Sequence, residues 1–108
     1  MAVSNDVTIY RSVSAMEAQS IQSTRKFSII DDGMDCKQFG FDLAETQKFG
    51  NKVHQNIIVS ARVPKNSLKR FYTVGVDTTI FRHGTLTVCG DELTYFNALV
   101  SGTIKFIP

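Results

Sequence analysis

The sequence has no tryptophan, 2 prolines and 2 cysteines in 108 residues. So little proline, alongside 7 glycines, excludes a collagen-like or linker-like chain. Two cysteines cannot build a disulfide scaffold, and a chain of this length does not need one. No apolar run approaches the roughly 20 residues of a membrane-spanning helix. No N-terminal stretch joins a basic start to a long apolar core, so no secretory signal is expected and no membrane partner. Charge of one sign is also scarce. Twelve Lys and Arg against ten Asp and Glu give a formal +2, too little to predict nucleic-acid binding from the field alone. The sequence contains no phosphate loop, no G-x-G-x-x-G, no G-x-S-x-G and no H-E-x-x-H. With no C-x-x-C and no histidine at ligand spacing, no metal site is expected.

What remains is an ordinary globular mixture, 43% hydrophobic and 20% charged. After a loose leader over 1–5, residues 6–108 are expected to form one α+β domain with a mainly antiparallel sheet and two or three short helices. Val7 to Arg11 is rich in β-branched and aromatic residues and predicts a strand. Ser14 and Glu17 have the spacing of a capping box, which predicts a helix to about Arg25. Its apolar stripe, Ala15, Ala18 and Ile21, is narrow, so the helix should lie on a surface. Asp31-Asp32-Gly33 signals a turn. Lys37 to Phe41 alternates as a short strand. Asp42 and Glu45 repeat the capping spacing ahead of a helix to about Lys52, where Gly50-Asn51 should fray or stop it. Leu43, Thr46, Phe49 and Val53 share one face of that helix.

Asn56 to Val63 is the best strand, with Ile57, Val59, Ala61 and Val63 on one side and Pro64 at its end. Lys65 to Phe71 is expected as a short helix capped by Asn66. Thr78 to Arg82 and Thr85 to Cys89 are expected as a hairpin turning at His83-Gly84. A helix from Gly90-Asp91 to about Leu99 and a strand from Gly102 to Ile107 complete the chain. The charge clusters Lys65, Lys69 and Arg70, Arg25 and Lys26, and Asp31, Asp32 and Asp35 are plainest as solvated faces. Cys36 and Cys89 could pair, but free thiols and a cytoplasmic location are the favoured reading.

Three features could carry chemistry. Arg11 ends a central strand, where a guanidinium costs desolvation unless it is paired or faces a cleft. It either reaches solvent or serves as a phosphate or ribose clamp. In Lys37-Gln38-Phe39-Gly40-Phe41 the two aromatics either pack the core or wall a flat ring, and Gly40 allows close approach. Asp91 and Glu92 either cap the last helix or offer Glu92 as a carboxylate for a developing oxocarbenium charge. His54 and His83 are plainest as turn residues.

The order of these motifs resembles small C-terminal domains of bacterial polymorphic toxins. There a strand ending in Tyr-Arg leads through a Ser-capped helix to a Thr-Gly-Lys-Phe-like exit, here Ser23-Thr24-Arg25-Lys26-Phe27. A Gly-Met-x-x-Lys-x-Phe segment follows, here Gly33-Met34-Asp35-Cys36-Lys37-Gln38-Phe39, and then Val63-Pro64-Lys65-Asn66-Ser67 in place of Val-Pro-Lys-Ser. The resemblance covers about residues 7–100. Such domains are similar to ADP-ribosyltransferase-like toxins, which split NAD and pass ADP-ribose to a protein. The resemblance implies NAD as substrate, Arg11 and Glu92 as catalytic residues, and Tyr10, Ser12, Lys37, Gln38 and Phe39 as the substrate-binding set. Glu92 takes its role as the only late glutamate, since the family's Glu-x-Glu or Gln-x-Glu pair is missing. The implied partners are a protein target or a cognate immunity protein. Two alternatives stand beside it. One is a small ribonuclease-type toxin acting on nucleic acid through Arg11, Lys37, His54 and His83. The other is a non-catalytic binding or immunity-type module.

Overall fold

The structure, a computed structural model, describes residues 6–28, 36–73 and 79–108. The expected leader, the Asp31-Asp32-Gly33 turn and Thr78 lie outside these residues. The elements run β1 (Asp6–Val13), α1 (Ala15–Thr24), β2 (Cys36–Gly40), α2 (Leu43–Val53), β3 (Ile57–Pro64), β4 (Thr85–Cys89), α3 (Leu93–Val100) and β5 (Lys105–Phe106). Short 3-10 helices occupy Lys65–Arg70 and Gly90–Glu92. The strands form one antiparallel sheet in the order β4-β2-β1-β3-β5, so the domain is α+β as expected.

Strand alternation gives the sheet two faces. Ile9, Val13, Phe39, Val59, Ala61, Val63, Leu86 and Val88 are buried in one core with Ala18 and Ile21 of α1 and Leu93, Phe96 and Val100 of α3. The rings of Phe27, Phe39 and Phe96 meet at centroid distances of 5.0 to 5.8 Å. Asn97 fixes the chain after α1 by imitating a strand partner. Its Oδ1 accepts from the Phe27 N–H at 2.8 Å and its Nδ2 donates to the Phe27 carbonyl at 2.7 Å.

The opposite face is covered by α2. Two glycines let that helix come close. A Cβ on Gly40 would stand 2.6 Å from Thr46 Oγ1, and one on Gly50 would stand 2.4 Å from the Gln55 carbonyl. Gly50 therefore does not stop α2, as its low helix propensity suggested. It lies inside the helix because its position against β1 leaves no room for a side chain.

Other expectations are corrected. The Lys65–Arg70 helix starts after Pro64, with no side-chain cap from Asn66. The hairpin does not form. Ile80 and Phe81 turn into the interior, 8% and 5% exposed, and the Gly84 N–H closes a turn onto the Phe81 carbonyl at 3.2 Å. Apolar content taken for a strand is used to plug the domain, and β4 pairs with β2 instead. The last strand shrinks to Lys105–Phe106. The cysteines are not free thiols. Cys36 and Cys89 face each other across β2 and β4, with Cα atoms 3.9 Å apart, and are joined by a disulfide. In the chain-entropy view a bond across a sequence separation of 53 contributes about 4 kcal/mol.

Candidate functional site

Strand β1 pairs with β3 along its whole length, from Asp6↔Pro64 to Val13↔Ile57. Toward β2 its only register pair is Tyr10↔Gly40. Continued antiparallel pairing would set Ser12 against Gln38. Instead both border a cavity of about 260 Å³, which opens between β1, β2 and α2. Its apolar wall is Phe49, Val53 and Phe81, with the Phe49 and Phe81 rings 5.3 Å apart. Its polar rim includes Tyr10, Arg11, Ser12, Gln38 and Gln55. The stripe Thr46, Phe49 and Val53 on α2 faces this cavity.

Backbone alternation explains which groups face the gap. The Thr87 N–H donates away from β2, to the Tyr72 carbonyl at 2.8 Å. Its partner in register, Gln38, therefore directs its own backbone groups the other way, toward β1. Arg11 occupies the place of the missing ladder. Its Nη1 donates to the Gln38 carbonyl at 3.2 Å, while Nε and Nη2 donate to the two Glu17 oxygens at 2.7 and 2.9 Å. Lys37 Nζ lies 3.5 Å from the same Glu17 carboxylate. The Glu17 and Lys37 side chains are 6% and 3% exposed, and that of Arg11 is 18% exposed. A guanidinium has five N–H donors. Three are used here, which leaves two without an acceptor among the described residues, at the edge of the cavity.

Of the residues singled out from sequence, Tyr10, Arg11, Ser12 and Gln38 come together at this cleft. Phe39 and Lys37 do not. By strand alternation both turn to the α1 face, Phe39 into the aromatic core at 1% exposure and Lys37 onto Glu17. Glu92 is also elsewhere. Its carboxylate accepts the Cys89 N–H at 3.0 Å and caps the turn into α3. The sequence reading missed Glu17 as a site residue, although its distance from Arg11, one strand end and one helical turn, signals the pairing. It also missed Gln55 and Phe81, which no local motif marks, and Phe49, which it placed on the apolar face of α2 without assigning it to a site.

The two histidines stand apart from the cleft. His54 ends α2 in the left-handed region at φ 60°. His83 is exposed, and its ring nitrogen bonds the Glu45 carboxylate, which also accepts the His83 backbone N–H at 3.1 Å. The hydrogen bond and then the charge of Glu45 hold the imidazole above its ordinary pKa of 6.5. Ligand atoms of Asp42, Glu45 and His83 lie within 4.8 Å of one another. Each is already engaged, since Asp42 accepts the Glu45 N–H at 3.0 Å as the cap of α2.

Fold and site together define a class: a small α+β domain whose single sheet is sealed on one face and parted at its centre on the other. No protein-family model, curated protein or solved structure matches the chain.

Proposed function

We propose that this is an ADP-ribosyltransferase-like toxin domain that grips NAD in the cleft between β1 and β2, with Arg11 as the clamp. The observation that supports this reading is the guanidinium itself. It is fixed by Glu17 and Gln38, has two donors without an acceptor among the described residues, and belongs to a residue that lines a cavity walled by Phe49 and Phe81. Fixed donors suit a phosphate or a ribose hydroxyl, and the aromatic wall suits a flat ring. Pockets that enclose drug-sized ligands run from about 300 to 1,000 Å³. A cavity of about 260 Å³ therefore takes one end of the dinucleotide and leaves the rest on the surface.

In the proposed reaction the bond between the nicotinamide nitrogen and ribose C1′ breaks, and neutral nicotinamide leaves with the electron pair. A nucleophile on the protein target then attacks C1′ and gives its proton to solvent. Glu92 is replaced by Glu17 as the carboxylate at the cleft. Paired with Arg11 and Lys37, Glu17 acts through its charge on the developing oxocarbenium ion. The disulfide suits an oxidising compartment better than the cytoplasm.

The test is release of nicotinamide from NAD by the wild-type chain and by Arg11→Ala. Cleavage that falls at least about 100-fold in the variant supports the reading, the size expected when a fixed electrostatic donor is lost. Wild-type protein that neither binds nor splits NAD overturns it. Binding without cleavage selects the non-catalytic module, which the occupied state of Glu17 favours as the second reading. The ribonuclease reading has less support, because neither imidazole lines the cleft and His83 is engaged with an acid.

A further inference from the structure

The Cys36–Cys89 bond sits at one end of the cleft. Cys36 is the first residue of β2, and it lines the cavity together with Ser14 and Gln38. Strand β2 is attached on one side to β1 only at Tyr10↔Gly40, the far end from Cys36. On the other side it is attached to β4, where Cys36↔Cys89 and Lys37↔Val88 are the last register pairs. The two residues after Cys36 are the ones that hold the clamp, Lys37 on Glu17 and the Gln38 carbonyl on Arg11. The β4 side is anchored independently, by Glu92 on the Cys89 N–H and by the Thr87 N–H on Tyr72. Both cysteines are half-buried.

We infer that this disulfide is a redox-operated clasp on the cleft, and that a dithiol reductant opens the site by freeing the Cys36 end of β2. A thiolate of the reductant attacks one sulfur, the Cys36–Cys89 bond breaks, and the departing cysteine leaves as a thiolate that takes up a proton. The second reductant thiolate resolves the mixed disulfide. The protein gains two thiols and the reductant becomes a cyclic disulfide. With the clasp open, the Lys37↔Val88 and neighbouring ladder bonds and the Arg11–Glu17–Lys37 cluster are what hold that end of β2 among the described residues. The loss of restraint falls on the side already parted from β1. The β1–β3 ladder, paired along its whole length, has no share in the bond.

The inference is independent of what the cleft binds, because its test reads the backbone. Amide hydrogen exchange is followed on the whole chain, oxidised and after treatment with dithiothreitol, with a thiol assay to confirm reduction. The Cys36→Ser/Cys89→Ser double variant serves as the permanently open form. Exchange at Lys37 and Val88 is expected to accelerate on reduction at least about 10-fold more than exchange at Ile9 and Ala61, the signature of local opening beyond the lost chain constraint. The double variant should match the reduced protein. Equal acceleration at all four positions overturns the inference, because the bond is then a staple for the whole fold. So does an unchanged pattern, or a disulfide that dithiothreitol does not reduce in the folded chain.

Discussion

The two faces of the sheet are packed to different standards. On one, Phe27, Phe39 and Phe96 are each no more than 1% exposed and leave no opening among themselves. On the other, Ser12, Gln38, Gly40 and Thr46 meet around a cavity, and the aromatic residue of α2, Phe49, is half-buried. The same strands supply both faces, so the contrast comes from the period of two and not from different segments. The parted face gives up a ladder between β1 and β2, and a charged cluster stands in its place. Arg11 belongs by alternation to the sealed face, with Ile9 and Val13. It reaches the gap only because the pairing there is missing.

The largest expected effect tests the sealed face. Phe96→Ala removes a ring that touches Phe27, Phe39 and Phe71, and it should cost about 3–5 kcal/mol. Phe49→Ala removes a ring of the same size from the cleft wall, where part of its surface is already open, and should cost under about 2 kcal/mol. Denaturant unfolding of the two variants with an unchanged slope checks this. Equal losses would show that α2 is as much part of the core as α3, and the contrast between the faces would fail.

Next in size is the charged cluster that joins them. Glu17→Gln keeps the shape but takes the buried charge away from both Arg11 and Lys37, and should cost about 3 kcal/mol. Arg11→Met leaves Glu17 still facing Lys37 and removes a side chain closer to water, so its cost should be nearer 1 kcal/mol. Unfolding at low and high salt measures both. The Glu17 loss should be insensitive to salt, because the pair is screened little where it lies. A Glu17 loss below that of Arg11 would mean the cluster is a surface network, and the cleft would lose its fixed clamp.

Much of the fold was legible because its signals are local. Ser14 and Asp42 cap α1 and α2 as their spacing predicts, accepting from the N–H of Glu17 and Glu45. Of the side expected to be buried on β3, Val59, Ala61 and Val63 are buried and Ile57 is exposed, while Ile58 and Ser60 on the other side are buried as well. The site was harder to read because its signals are tertiary. Glu17 and Glu45 carry capping-box spacing, yet neither carboxylate bonds back to its cap. One turns to Arg11 and the other to His83. Glu92, which the sequence offers both as a helix-end residue and as a carboxylate for catalysis, is the one that does close a capping box. In each case the local motif set where the helix begins, and a distant residue decided what the carboxylate does. The cleft itself has no sequence signal, because it arises from pairs that do not form. Nothing in residues 10–14 or 36–40 states that β1 and β2 part after Tyr10↔Gly40.

The smallest effect comes from the rim outside both faces. His83 is fully exposed to solvent and its partner Glu45 is half-buried at the start of α2. The bond to Glu45 and then its charge raise the imidazole pKa, desolvation opposes them, and the charge of Asp42 adds the least. A group whose pKa is raised by folding contributes stability that is fully present below its unfolded pKa, near 6.5. That contribution is lost as pH climbs through the raised folded value. The pair therefore helps the fold in mild acid and not in alkali. An NMR titration should place His83 above 6.5 in the wild type and return it toward 6.5 in Glu45→Gln. Neither the cleft nor the aromatic core should respond, since His83 touches neither, and the chemical shifts of Arg11 and Phe96 should stay level through the same titration. Movement at Arg11 in step with His83 would show that α2 transmits the charge change to β1, and the parted face would then be sensitive to pH as well as to the state of its disulfide.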